Sequence, residues 1–455
     1  MTGHRMTRRQ QLALPLSAVA AALFGACRGA AGPAGEAPAT PAGACRSKLE
    51  WWGVLGVGGV RWNAFQEITR VFVERRPGCA VEMVDVPTGL NDKVIAAMAA
   101  GSPPALMNLP PGSVAGLAHR GVLANVEDLF KRDKLSGSDF SPGMWLMMSY
   151  GGKVWIMPQE VNADFPLHWN KAHFREAGLD PEKPPTSLAD LDALIPRLTR
   201  EQGGEYERVG MVTWDLSGTS NTLAAWAYAC GGSFFDRDKD EFTFNHPRII
   251  RAVEWYGGWA QRLGVARVTS LIQKVQVQGV HYFGSGRFSI HALTSVTLRG
   301  VLQNDPTLEI GAGPFPAEPP GKVGSAKVGG WAIGAVNGSQ QREEAWDFMK
   351  FVGASEEGTT MVARLTGIPG WLKSPGLREL EQDPLQRPYV EAMRRAEFPA
   401  LSFYGSVVDL GLGLLDQAIN GQLGIREALE RINQEVNARY LEWKRQEPGR
   451  QLFKL

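Results

Sequence analysis

From Lys48 onward, short runs rich in β-branched and aromatic residues alternate with amphipathic stretches of helical period, and few architectures accommodate that alternation. "KLEWWGVL" reads as a strand. "RWNAFQEITRVFVERRP" reads as a helix with Trp62, Phe65, Ile68 and Phe72 on one face and Pro77 just past its end. "AVEMVDV" is a second strand, and "LNDKVIAAMAAG" a second helix, with Asn91 near its start and Gly101 at its stop. "ALMNL" is a third strand. The order β-α-β-α-β places parallel strands side by side in a doubly wound α/β domain. Later runs repeat the theme: "KVWIMP", "PLHWN", the helix-like "SLADLDALIPRLTRE", "VGMVTW", "TLAAWAYACGG", "RFSIHAL" and "KVGGWAIGAV". The C-terminal third is mostly helical.

The glycine-rich stretch between the first strand and the first helix, "GVLGVGGVRW", raises the question of a phosphate loop. A dinucleotide fingerprint needs a third glycine where Arg61 stands, and a P-loop needs Gly-Lys-Ser or Gly-Lys-Thr. Neither pattern is met. The glycines serve a tight turn and a close approach of backbone to ligand.

With 455 residues and 44% hydrophobic content, the chain is long enough to bury more than one core. Its 48 Lys and Arg balance 47 Asp and Glu, so no net field gathers nucleic acid, and none is expected as a partner. Arg5, Arg8 and Arg9 precede an uncharged run too short to span a bilayer comfortably, which reads as a signal peptide over residues 1–27. "LFGAC" resembles the lipobox of bacterial lipoproteins and marks Cys27 as the acylated residue. The Ala-, Gly- and Pro-rich residues 28–47 have nothing to bury and read as a disordered tether. Cys45 and Cys79 each lie just before a strand. If the strands are parallel neighbours, their entrances are close enough for a Cys45–Cys79 disulfide. Cys230 reads as a small buried apolar residue.

The stretch "GKVWIMPQEVNADFPLHWNKAHFREAGLDPEKPPTSLADL" resembles a signature of bacterial extracellular solute-binding proteins, family 1, the sugar-binding subunits of ABC importers. Gly152, Lys153, Trp155, Pro158, Trp169, Asn170, Lys171, Phe174, residues 177–181, Pro185 and Thr186 carry the match. "GGSFFD", "YFGSGRFSI" and "GGWAIGAVNGSQQREEAWDFMKFV" follow in the family's order. "PPALMNL" departs from it, since the family usually has an Asp there.

The resemblance implies a two-lobed periplasmic-binding-protein-like fold of type II whose chain crosses between the lobes three times, near residues 160–164, 291–295 and 336–340. Residues 48–162 and 293–338 are then expected in the first lobe, and residues 163–292 and 339–455 in the second. It also implies a carbohydrate ligand held between hinged lobes, ABC permease subunits as partners, a monomer lipid-anchored or periplasmic outside the cytoplasm, and no cofactor.

Sugar recognition needs flat aromatic faces for C–H patches and planar amides and carboxylates for hydroxyls. Along a strand side chains alternate faces, so of Trp51 and Trp52 one is core and the other near the cleft, and Trp52 is taken as the ligand residue. Trp214 and Asp215 follow a strand, Trp331 sits beside two glycines, and Tyr404 lies in a late loop. Asn108, Glu160 and Asp164 are the polar candidates. The seven histidines are scattered, so no metal cluster is expected, and no HExxH, CxxC or GxSxG appears. Two rival readings remain open. One is an exported glycoside hydrolase using Glu160 and Asp164 as its carboxylate pair, and the other is a rigid lectin.

Overall fold

The computed structural model describes residues 48–163, 165–276, 281–324, 327–396, 398–399 and 412–446. Strand β1 (Lys48–Gly53) buries Leu49 and Trp51 completely. Helix α1 (Val60–Arg75) turns Phe65, Ile68 and Phe72 onto the same core, where the rings of Trp51 and Phe65 meet edge to face with centroids 5.4 Å apart. Such a pair adds about 1 kcal/mol beyond the area it buries. The turn between the two elements uses Gly56 and Gly58 at φ 68° and 79°, a left-handed conformation that a Cβ disfavours. β2 (Ala80–Asp85), α2 (Leu90–Ala99) and β3 (Leu106–Leu109) complete the expected unit, with β2 and β3 both parallel to β1.

After several short helices the chain forms β4 (Ile156–Ala163) and then β5 (Leu167–Asn170), the first strand of a second sheet. Helix α3 (Leu188–Leu198) begins in a capping box: the Ser187 hydroxyl accepts from the Asp190 amide and the Asp190 carboxylate from the Ser187 amide, both at 3.0 Å. β6 (Glu205–Met211), α4 (Thr219–Ala229), α5 (Pro247–Leu263), β7 (Phe288–Ala292), α6 (Ser295–Asn304) and β8 (Ile310–Gly313) follow. The second sheet runs β8-β5-β7-β6 and ends on Arg200–Gln202. Trp226 on α4 and Trp255 on α5 pack with centroids 4.6 Å apart, and Trp255 and Trp259 both donate to Asp192. Many tryptophans here are therefore packing residues.

The chain then returns to the first sheet as β9 (Lys327–Ala335), antiparallel to both β3 and β4. Helices α7 (Arg342–Ala354), α8 (Glu356–Leu365) and α9 (Arg387–Arg395) stay with that lobe: Phe348 on α7 packs against Trp51 and Phe72, and α9 lies against β4. The short strand Phe398–Pro399 pairs with β9. Helices α10 (Leu412–Ile419) and α11 (Ile425–Gln446) pack on α5 in the second lobe.

The fold is a two-lobed type II α/β architecture with three crossings, as expected. Two crossings are displaced from the expected positions. The first separates β4 from β5, but the second separates β8 from β9, not at 291–295, and the described chain is still in the first sheet at the strand Phe398–Pro399 before α10 joins the second lobe, not changing lobes at 336–340. Residues 293–313 therefore belong to the second lobe, because β8 is an antiparallel partner of β5, and residues 342–395 belong to the first, because Phe348 completes the core around Trp51. Cys230 is buried as expected, and burial pushes its thiol up to about 12. Cys79 is buried at the entrance of β2. Cys27, the expected signal segment and tether, and the Cys45 end of the expected disulfide lie outside the described residues.

Candidate functional site

Glu160 lies on β4 just before the first crossing and is 1% exposed. A carboxylate so placed must be paired or hydrogen-bonded, since burying a bare charge is very costly. Three elements distant in sequence supply the partners. Arg61, in the first turn of α1, donates from Nε and Nη2 to Glu160 Oε1 at 2.8 and 2.5 Å. The Thr366 hydroxyl, just past α8, donates to Oε2. The Arg61 guanidinium also lies over the Trp331 ring, 5.2 Å from its centroid.

Trp331 reaches this position because β9 pairs it directly with Glu160, which puts the two side chains on one face of the sheet. The β9–β4 register shifts immediately after that pair. Gly330, at φ 109°, is required here, because a Cβ would come within 2.3 Å of the Glu160 carbonyl oxygen. Across the seam Ser295 of the second lobe opens α6 near the same carboxylate: a Cβ placed on Gly367 would lie 3.4 Å from Ser295 Oγ and 3.5 Å from Glu160 Oε2. Ser295 Oγ, Asn162 Oδ1 and Gln159 Nε2 are buried polar atoms with no protein partner among the described residues. One turn further along α6, Arg299 donates to the carbonyls of Ala363, Arg364 and Thr366 at the end of α8, which ties the two lobes together beside the site.

The other sequence candidates take different places. Trp51 is the core member of its pair, and Trp52 is half-buried. The Trp52 indole donates to Glu50 Oε2 at 3.1 Å, which draws the ring toward the start of β1 and away from the carboxyl end where Arg61 stands. Asn108 is fully buried: its Oδ1 accepts from the Val54 amide at 2.9 Å and its Nδ2 faces Gln159 Oε1 at 3.4 Å, so it holds the loop after β1 rather than opening onto the cleft. Trp214 and Asp215 follow β6, half-buried, and the Asp215 carboxylate accepts from the Gly218 amide at 3.3 Å. Asp164 and Tyr404 lie outside the described residues. The residues that sequence reasoning missed are Arg61, Thr366 and Ser295. The signal for Arg61 was its place in the first turn of a helix fed by a glycine-rich loop at the carboxyl end of a strand.

Beyond the crossing, the second lobe holds a buried imidazole network. His168 on β5 and His291 on β7 are paired across the sheet. The Tyr389 hydroxyl of α9 donates to the Leu293 carbonyl at 2.8 Å and lies 3.3 Å from His168 Nε2, so a first-lobe helix is anchored in the second lobe. Tyr282 Oη is 3.4 Å from His291 Nε2. Burial lowers His168 to about 3, opposed by the nearby Pro166 carbonyl, and holds His291 well below the ordinary imidazole value. His281 is lowered to about 4 by burial, partly offset by the Asp215 charge.

Residues 62–359 match the family model of bacterial extracellular solute-binding proteins. The sn-glycerol-3-phosphate-binding periplasmic protein UgpB of Pectobacterium atrosepticum is 23% identical over 346 residues, 68% of this chain and 73% of the relative. Among solved structures, CpMnBP1 with mannotriose bound superposes with a TM-score of 0.74 at 22% identity, covering 86% of this chain and 99% of the other. UgpB from Mycobacterium tuberculosis in complex with glycerophosphocholine superposes with a TM-score of 0.70 at 18% identity, covering 88% and 99%.

Proposed function

The chain belongs to the bacterial extracellular solute-binding protein family, and from that premise we propose that it is the receptor of an ABC importer, binding a carbohydrate between its lobes and delivering it to the permease. Oligosaccharides are within its reach. One observation carries the reading. At the first crossing the Trp331 ring and the Glu160 carboxylate are surrounded by buried polar atoms with hydrogen-bonding capacity in reserve, contributed by both lobes through Asn162 and Ser295. An indole face suits the C–H surface of a pyranose, and the spare donors and acceptors suit its hydroxyls.

Because these groups come from both lobes, a ligand that engages them binds the closed arrangement better than an open one, and that difference drives hinge closure. Trp214 and Asp215, at the carboxyl end of β6, are the second-lobe members of the proposed ligand set, and Asp164 and Tyr404 belong to it by sequence position. Export by the N-terminal segment and anchoring through an acylated Cys27 place the receptor outside the cytoplasmic membrane. It acts as a monomer without a cofactor.

The test is a titration of intrinsic tryptophan fluorescence with neutral mono-, di- and trisaccharides, mannobiose and mannotriose among them. At least one is expected to give a saturable change with the sugar recovered intact. Trp331→Ala is expected to weaken that affinity about 30-fold, the effect of losing a ~2 kcal/mol aromatic anchor. Recovery of a cleaved product, or a flat response to the whole panel, would refute the reading.

A further inference from the structure

Resting on the carbohydrate reading, we propose that the cleft carries a built-in charge filter: Glu160 and Asp85 occupy the two places where an anionic ligand would be held, so the receptor takes neutral hydroxylated ligands and refuses phosphorylated ones. The chain resembles proteins named for glycerol 3-phosphate and for glycerophosphocholine as well as one with a mannose oligosaccharide bound, so the presence of an anionic phosphate group is what separates the possible ligand classes.

A phosphate dianion is held in proteins by Arg or Lys side chains, by backbone amides at a helix start, or by both. Both devices exist at the carboxyl end of β1, and both are already satisfied by this chain's own carboxylates. The loop that feeds α1 directs the amides of Leu55 and Gly56 at Asp85 Oδ1, at 2.8 and 3.1 Å, and the amide of Val54 at Asn108. An aspartate thus sits where a glycine-rich loop would otherwise cradle phosphate. The neighbouring cation, Arg61, is committed to Glu160 through two hydrogen bonds and stands over the Trp331 ring. Lys327, near the crossing, is 2% exposed with its ammonium 4.7 Å from the Phe165 ring centroid, and the Arg299 guanidinium beside the site is spent on the carbonyls of Ala363, Arg364 and Thr366.

The internal segments outside the described residues, 164, 277–280, 325–326, 397 and 400–411, contain no Lys or Arg, whereas they do contain Asp164, Glu397 and Asp409. An incoming phosphate would meet carboxylates that already hold the available donors. A neutral glycan meets no such opposition, and the Arg61 plane remains free to donate to its hydroxyls from the edge not bound to Glu160.

The experiment is calorimetric titration of the wild-type protein and of Glu160→Gln with sn-glycerol 3-phosphate and with the neutral saccharides, at low and high salt. Wild type is expected to show no binding of glycerol 3-phosphate at millimolar concentration. Glu160→Gln, which removes the carboxylate charge from Arg61, is expected to gain at least tenfold in affinity for it, and salt is expected to erase the gain. Circular dichroism checks that the variant is folded. Should Glu160→Gln not fold, Asp85→Ala frees the loop amides and is expected to show the same salt-sensitive gain.

A folded variant with no gain overturns the filter. Wild-type protein that binds glycerol 3-phosphate as tightly as a saccharide also overturns it, yet leaves a solute receptor standing. If wild type binds no saccharide while Glu160→Gln gains the anion, the filter is supported and the carbohydrate reading alone is lost.

Discussion

The two sides of the first crossing solve the same problem in opposite ways. On β4, a titratable side chain that is almost completely buried keeps a charged partner: Glu160 has the Arg61 guanidinium on one oxygen and the Thr366 hydroxyl on the other. On β5, eight residues later, His168 is equally buried but has a tyrosine and another histidine as neighbours, and its pKa is driven down to about 3. Burial penalises the charged form, and a group keeps its charge only where a counter-charge or hydrogen bonds offset that penalty. A buried carboxylate with its own counter-charge therefore stands on β4, whereas the β5 side of this crossing keeps a buried imidazole that holds no counter-charge and joins the lobes through Tyr389.

The largest test of this contrast removes one member of the charged side. Arg61→Met leaves Glu160 buried with only the Thr366 hydroxyl, and unfolding in urea is expected to show a loss of about 3 kcal/mol. Arg61→Met combined with Glu160→Gln is expected to recover most of it. A single variant as stable as wild type would mean that the pair is not a coupled unit.

The neutral side is probed by pH. His168 has a folded pKa of about 3 against an ordinary value of 6.5, so below pH 6.5 the unfolded chain binds a proton that the folded chain does not. Stability is then fully present above 6.5 and falls as pH drops toward 3, by about 1.4 kcal/mol per pH unit for each such histidine. Denaturant midpoints measured from pH 7 to pH 4.5 are expected to decline along this slope, and His168→Asn is expected to remove one histidine's share of it, leaving the shares of His173, His281 and His291. An unchanged slope in that variant would move the effect to His281 or His291.

The smallest expected effect concerns the anchor between lobes. Tyr389→Phe removes the donor to the Leu293 carbonyl and leaves that buried acceptor unmet, at a cost of about 1 to 2 kcal/mol by thermal or urea unfolding. A value near zero would indicate that the neutral network fills space without holding the lobes.

Much of the fold could be read locally. The alternation that put Trp51 in the core is a property of consecutive residues, and the strand-helix order to β3 followed from runs of four to sixteen residues. Glu160 and Trp331 could be singled out from the sequence because one lies near an expected crossing and the other is flanked by glycines, and the structure pairs them across β4 and β9. Their partners could not, because Arg61 and Thr366 stand 99 and 206 positions from Glu160 and nothing in either neighbourhood announces the meeting. Trp52 was drawn away by a contact with Glu50, two residues back, which strand alternation alone does not predict. The misplaced lobe boundaries have a similar origin. "IGAG" carries little strand signal, and only pairing with β5 reveals that residues 310–313 remain in the second lobe.

By itself the sequence determined the periodic elements, their turns and the kinship of the whole, because these depend on spacing between near neighbours and on which backbone angles glycine permits. The tertiary structure decided which buried groups carry charge. That outcome depends on Coulomb and desolvation energies between side chains within a few ångströms of each other in space and hundreds of residues apart along the chain.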